Sequence, residues 1–234
     1  MARTRRVVAT IPLKKISPSQ INSFLDCPCC YYKDRVAKDK RPRGITAGLP
    51  MGIDRVFRVH YRAHAAAGTI PKELKATFGP GWSLSTDSTL VSKEQSFDQP
   101  DELLIKGVNY TLAGRMDEML MNPKNEFVIV DFKTKASAKS SANVHPTAER
   151  QMQLYALILE SQGRKVADVA YLAHLYPDVV DDGPDVKFVC QLHKINVDAT
   201  ARAAARKMFE RTVKCLTGPE PKKKPKCEFC NFRA

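Results

Sequence analysis

The sequence predicts a mixed α/β fold, and three observations carry that prediction. Its 234 residues suffice to bury a full core in one domain. A hydrophobic fraction of 43% and a charged fraction of 27% belong to a globular chain, which excludes a disordered, coiled-coil or collagen-like one. The apolar spacing switches to alternation at Leu103, becomes helical at Ala148 and alternates again from Val169.

The elements follow in order. Ser17 caps a helix with Pro18 in its first turn, Ile21, Phe24 and Leu25 on its apolar face, and Cys27-Pro28 as its stop. The basic, Gly- and Pro-marked stretch Lys38 to Gly48 reads as a loop. Met51 to Ala67 is helical and ends at Gly68 and Pro71. Residues 76–100 mix Gly, Ser, Thr and Pro and predict irregular chain with short strands. Leu103–Ile105 and Tyr110–Leu112 flank a turn at Gly107, and Gly114 to Met121 forms a further strand. Asn122-Pro-Lys-Asn125 is a turn, and Glu126 to Lys133 a strongly apolar strand. Ala148 to Gln162 is a helix apolar nearly all round, and so a buried one. Val169–Tyr176 and Val186–Ile195 are strands joined by the Asp-rich loop Pro177–Asp185. Asp198 caps a last helix, Ala199 to Leu216, before an extended basic tail.

The net charge is +13, and it sits at the ends. Residues 1–43 carry +8 and residues 201–234 carry +7, while residues 44–200 carry −2. This divides a single 1–234 domain into a basic N-terminal segment, a near-neutral core and a basic C-terminal helix and tail. Basic ends around a neutral body point to a polyanionic partner, nucleic acid before any other. No stretch approaches the roughly 20 apolar residues of a membrane span. The N-terminal apolar run is too short and broken for a secretory signal, so a cytoplasmic setting is expected.

Seven cysteines without a secretory signal do not suggest a disulfide framework. Cys27 with Cys30, and Cys227 with Cys230, form two C-x-x-C pairs near opposite ends. Four thiolates suit either tetrahedral zinc or an iron–sulfur cluster, and a shared metal would clasp the two ends together. Cys190 and Cys215 stand alone and read as buried small apolar residues.

The sharpest signal lies around the turn at 122–125. In Val128-Ile-Val-Asp131-Phe-Lys133, strand alternation puts Asp131 and Lys133 on one face and Phe132 on the other. If the turn closes a hairpin, Asp117 of Gly114-Arg-Met-Asp117 falls beside Val130 or Asp131. Two carboxylates with a lysine at the end of a buried strand can hold Mg²⁺ or Mn²⁺ and orient a water. An Asp–Lys ion pair where a strand leaves the core is the plain alternative. Gln151 and Tyr155, at i and i+4, give the following helix a polar edge that needs a partner. His64, His145, His174 and His193 join no such constellation and are expected on the surface or in loops.

Together, Gly114-Arg-Met-Asp117, Ile129-Val-Asp131-Phe-Lys133-Thr134 and Gln151-x-x-x-Tyr155 resemble the PD-(D/E)XK nuclease superfamily. The likeness is greatest to its RecB-type branch of CRISPR-associated and phage-encoded exonucleases. Ser17-Pro-Ser-Gln-Ile-Asn-Ser-Phe-Leu-Asp-Cys27-Pro28 is similar to that branch's opening. The resemblance implies a restriction-endonuclease-like core, a mixed central sheet flanked by helices. It implies catalysis by Asp117, Asp131, Lys133, Gln151 and Tyr155, with Mg²⁺ or Mn²⁺ on the two aspartates. It also implies a four-iron–four-sulfur cluster on a cysteine just before a proline, here Cys27, and C-terminal cysteines, here Cys227 and Cys230; either Cys30 completes the set, or Zn²⁺ replaces the cluster, or there is none. The branch's metal-binding histidine, four residues after a helix glycine, is replaced by Val56 after Gly52. His60, or Asp54 on the same helix, is the candidate substitute.

The expected function is a metal-dependent DNA nuclease, of exonuclease type by resemblance, acting on single strands or free ends. The setting would be bacterial or phage-encoded, with partners in recombination, phage replication or CRISPR adaptation. A catalytically silent DNA-binding subunit is the second reading. A zinc-clasped RNA-binding protein is the third, and it leaves the acid–lysine group unexplained.

Overall fold

Local chemistry sets the first elements of the computed structural model, which describes residues 13–40, 48–96, 104–105, 108–138, 142–178 and 186–232. After strand β1 (Leu13–Ile16), Ser17 and Gln20 form a reciprocal capping box that starts helix α1 (Pro18–Asp26). Cys27 ends α1 and Pro28 opens α2 (Pro28–Tyr32), which runs into a π-helical turn, Lys33–Ala37. Helix α3 (Gly48–Ala66) follows, then the single-turn helices α4 (Lys72–Lys75) and α5 (Thr89–Ser92). The two-residue strands β2 (Ser83–Leu84) and β3 (Gln95–Ser96) flank α5.

The strands make two sheets. In the first, β5 (Val108–Gly114) pairs parallel with β1 and antiparallel with β3 and with β4 (Leu104–Ile105). The second has the order β2, β6 (Glu118–Met121), β7 (Phe127–Thr134), β8 (Val169–Pro177), β9 (Phe188–Asn196). Only β7 and β8 run parallel there, so the chain must cross over between them. Helix α6 (Pro146–Ser161) makes that crossover and packs against α1 and α7 (Ala199–Thr217). Asp198 caps α7, accepting a hydrogen bond from the Ala201 amide at 2.8 Å. A short helix, α8 (Glu228–Phe232), follows the basic tail.

Alternation along β7 divides the core. Val128, Val130 and Phe132 pack with Tyr61, Leu74 and Tyr171 on the α3 side. Ile129 packs with Met152, Leu172 and Phe209 on the side of α6 and α7. Mixed sheets flanked by helices agree with the predicted restriction-endonuclease-like core, and the four cysteines gather where the chain's two ends meet.

Three expectations are corrected. Gly114 to Met121 is not one strand: β5 and β6 belong to different sheets, and Arg115 to Asp117 is the link between them. His174 is buried in β8 rather than surface-placed, its ring 4.6 Å from that of half-buried His193 on β9. Strand alternation aims it into the interior from the register position beside Lys133. Cys190 and Cys215 are half-buried rather than core residues. Most of the predicted Lys38–Gly48 loop, much of the Asp-rich loop and residues 1–12 lie outside the described residues.

Candidate active site

Strand pairing brings the acidic residues together. Glu118 pairs with Val130 and Met121 with Phe127, so one further step sets Asp117 opposite Asp131. Asp117 Oδ2 accepts a hydrogen bond from the Phe132 amide at 3.0 Å, which ties the link between the sheets to β7. Asp131 is 1% exposed, and the Lys133 ammonium lies 2.5 Å from its Oδ2.

Helix α6 covers this pair with the polar edge read in the sequence. The Gln151 amide nitrogen donates to Asp131 Oδ1 at 3.2 Å and to the Tyr155 hydroxyl at 2.8 Å. Tyr155 in turn donates to the Arg115 carbonyl at 2.6 Å, in the same link that carries Asp117. Gly114 permits this approach: a Cβ there would sit 2.6 Å from a Tyr155 ring carbon. Asp117, Asp131, Lys133, Gln151 and Tyr155 are therefore one connected group.

Burial disfavours charge on Asp131, and neighbouring Asp117 adds to this against the opposing pull of Lys133, so its carboxyl is pushed up to about 7. Burial also disfavours the Lys133 ammonium, but Asp131, Asp117 and Asp54 outweigh it and hold that group above the usual lysine value. The sign for stability follows. A carboxyl raised in the fold stabilises the protein below its unfolded value, and that contribution is lost as pH rises from about 4 through about 7. Without added divalent ion, the melting temperature of the wild type should therefore fall relative to Asp131→Asn between pH 5 and 8. Parallel pH profiles would contradict the raised pKa.

A family model for the PD-(D/E)XK nuclease superfamily matches residues 53–234, from α3 through the cysteine pair. The chain belongs to the PD-(D/E)XK nuclease superfamily. Solved structures similar to this superfamily member include that of SSO0001, at 16% identity with a TM-score of 0.44, covering 94% of this chain and 84% of that one. Another is an alkaline exonuclease from Laribacter hongkongensis, at 13% identity and a TM-score of 0.42, covering 86% of this chain and 87% of that one. A sequence search of curated proteins finds no match.

Nucleases of this superfamily use divalent metals, and the carboxylates fit one. They are hard oxygen donors on neighbouring strands. Asp131 Oδ2 is buried without a well-angled hydrogen bond, although the lysine lies close. On α3, Arg58 bridges Asp117 Oδ1 at 3.0 Å and Asp54 Oδ2 at 3.2 Å, which places Asp54 beside the group. His60 is not brought there. It lies roughly 200° around the helix from Arg58, and its Nε2 faces Glu73 at 3.1 Å. Val56 is 67% exposed.

The cysteines form a second centre. Each C-x-x-C begins at a helical turn, where the Tyr31 amide donates to the Cys27 carbonyl and the Cys230 amide to that of Cys227. That spacing puts both sulfurs of a pair on one side. Sγ separations are 3.4 Å for Cys27–Cys230, 3.4 Å for Cys30–Cys230 and 3.7 Å for Cys30–Cys227. All four lie within 4.8 Å of one another, which among the described residues no other group of three or more metal-ligating side chains does. A tetrahedral ion with metal–sulfur bonds of about 2.3 Å spaces its sulfurs by about 3.8 Å. Burial pushes the Cys230 thiol up, but a backbone hydrogen bond at Lys224 and the other three cysteines outweigh it and bring it to about 6.

Two residues of the site region are not singled out in the sequence: Arg58, and Glu118, which is fully buried and paired with Arg62. The i, i+4 spacing of Asp54, Arg58 and Arg62 was the available signal.

Proposed function

We propose that this chain is a metal-dependent DNA nuclease of the RecB-like, exonuclease type, hydrolysing phosphodiester bonds within a single domain. The observation that carries this reading is the convergence of Asp117, Asp131 and Lys133 under Gln151 and Tyr155. Asp117 and Asp131 would hold Mg²⁺ or Mn²⁺. Such an ion, when bound, supplies the positive charge that stabilises phosphoryl oxygens and acidifies water.

The chain's own residues do the rest. Lys133 stays an ammonium at neutral pH, so it donates a hydrogen bond that orients the attacking water and offsets charge on the phosphate. Gln151 fixes the Asp131 carboxylate, and Tyr155 fixes Gln151 against the Arg115 carbonyl. Basic side chains toward both ends supply phosphate contacts, so binding weakens steeply with salt. Cys27, Cys30, Cys227 and Cys230 would hold one zinc ion, a reading supported by their sulfur spacing. Each thiolate of a four-iron cluster binds a separate iron, which spreads the sulfurs more widely.

Arg58 on Asp117, with Val56 where the RecB-like branch has a metal-binding histidine, favours a DNA-binding subunit without cleavage. End-labelled single- and double-stranded DNA with Mg²⁺, Mn²⁺ or EDTA separates the two. The expected result is cutting with Mg²⁺ or Mn²⁺ alone, with mononucleotides or short ladders released from ends. Tight binding without cutting under either ion would leave a DNA-holding protein.

A further inference from the structure

Arg58 and Arg62 stand one turn apart on α3, and both pair with acidic residues of the β5–β6 region, yet the two pairs differ. Arg62 is fully engaged: its guanidinium takes both oxygens of buried Glu118 and the Ser85 carbonyl. That is a finished structural pair. Arg58 uses one nitrogen, Nη2, for both Asp117 and Asp54, while its Nη1 is buried with no hydrogen-bond partner among the described residues. Its side chain is 32% exposed, against 24% for Arg62.

What it touches matters more. Asp117 Oδ2 accepts from the Phe132 backbone amide, which the strand holds in place, so the oxygen a cation can take over is Oδ1, held by the Arg58 side chain. A divalent ion sharing that oxygen would stand within a few ångströms of a guanidinium, and like charges that close repel. With neither Arg58 nor an ion between them, Asp54 and Asp117 would repel one another instead, Lys133 being paired with Asp131.

We propose that Arg58 is a stand-in cation, holding Asp54 and Asp117 together until a divalent ion displaces it. This rests on the reading of Asp117 and Asp131 as a metal site. On displacement Asp54 becomes available as a third carboxylate, on the helix face where neither Val56 nor His60 can serve. Arg58 is thus a positioning residue whose effect is tied to metal loading.

The test uses Mn²⁺ alone as the probe, on the full chain with its cysteine centre as purified. Melting temperature and Mn²⁺ affinity are measured for wild type, Arg58→Gln, Arg62→Gln and Asp131→Asn. Arg58→Gln should melt lower than wild type without Mn²⁺, converge with it at saturating Mn²⁺, and bind the ion at least about fivefold more tightly. Arg62→Gln should keep its full deficit at any Mn²⁺ level. A deficit in Arg58→Gln that persists at saturation, or an unchanged affinity, would make Arg58 a structural residue like Arg62 and overturn the proposal. Should Arg58→Gln not fold, Arg58→Lys carries the same test with a smaller expected effect. Equal Mn²⁺ responses in wild type and Asp131→Asn would instead refute the metal site itself, and the proposal with it.

Discussion

Lys133→Met is expected to slow DNA cleavage by about 10²- to 10⁴-fold, the range for removing a positioned proton-transfer or hydrogen-bonding group, while leaving Mn²⁺ binding intact or tighter. The ammonium is 2.5 Å from Asp131 and is held above the ordinary lysine value by three acidic neighbours. On the proposed reading it therefore positions water and phosphate and does not ligate the ion. Removing a positive charge beside a cation site relieves repulsion of the ion, and titrating at alkaline pH keeps Asp131 ionised once the lysine's downward pull on its carboxyl is gone. Side-by-side calorimetric titration and single-turnover cleavage separate the two roles. Loss of Mn²⁺ binding in Lys133→Met would show that the lysine shapes the site and does not act in the reaction.

The second large effect is expected at the cysteines. Cys27 and Cys230 are 203 residues apart in sequence and 3.4 Å apart at sulfur, so one ion would close almost the whole chain. Binding energy in such a centre is folding energy, on the order of 10 kcal/mol for structural zinc. Cys230→Ser, or chelation, should lower the melting temperature by at least about 10 °C, with cleavage falling only as folded protein is lost. Metal analysis of the purified protein should find one zinc per chain in a colourless solution. A brown protein with four irons would refute the mononuclear reading, and no change on chelation would refute the clasp.

Local patterns made much of this legible in the sequence. A hairpin that brings Asp117 beside Val130 or Asp131 follows from a short turn and an apolar strand, and the observed pairing of Glu118 with Val130 selects Asp131. Gln151 and Tyr155 stood out because a buried helix cannot leave a polar edge unpaired. Paired C-x-x-C spacings pointed to the cysteine centre because two such pairs supply the four thiolates that zinc or an iron–sulfur cluster takes. The missing parts were those set by tertiary contact. Nothing local shows that Arg115 to Asp117 passes between two sheets, because the residues on either side are both strand formers. Arg58 and Arg62 share one helix and one residue type, and only the strand opposite each distinguishes a half-satisfied contact from a complete one. His174 carried a polar label in an apolar strand, and its burial depended on which face that strand turned inward.

Whether Asp131 lies in a metal-dependent hydrolytic site is decided by cleavage of end-labelled DNA by wild type and Asp131→Asn at saturating Mn²⁺, with melting curves alongside. The wild type should cut in a metal-dependent way, and a variant that melts no lower should cut at least about 10³-fold less. Equal cleavage by the two proteins, or cleavage that EDTA does not stop, would contradict such a site.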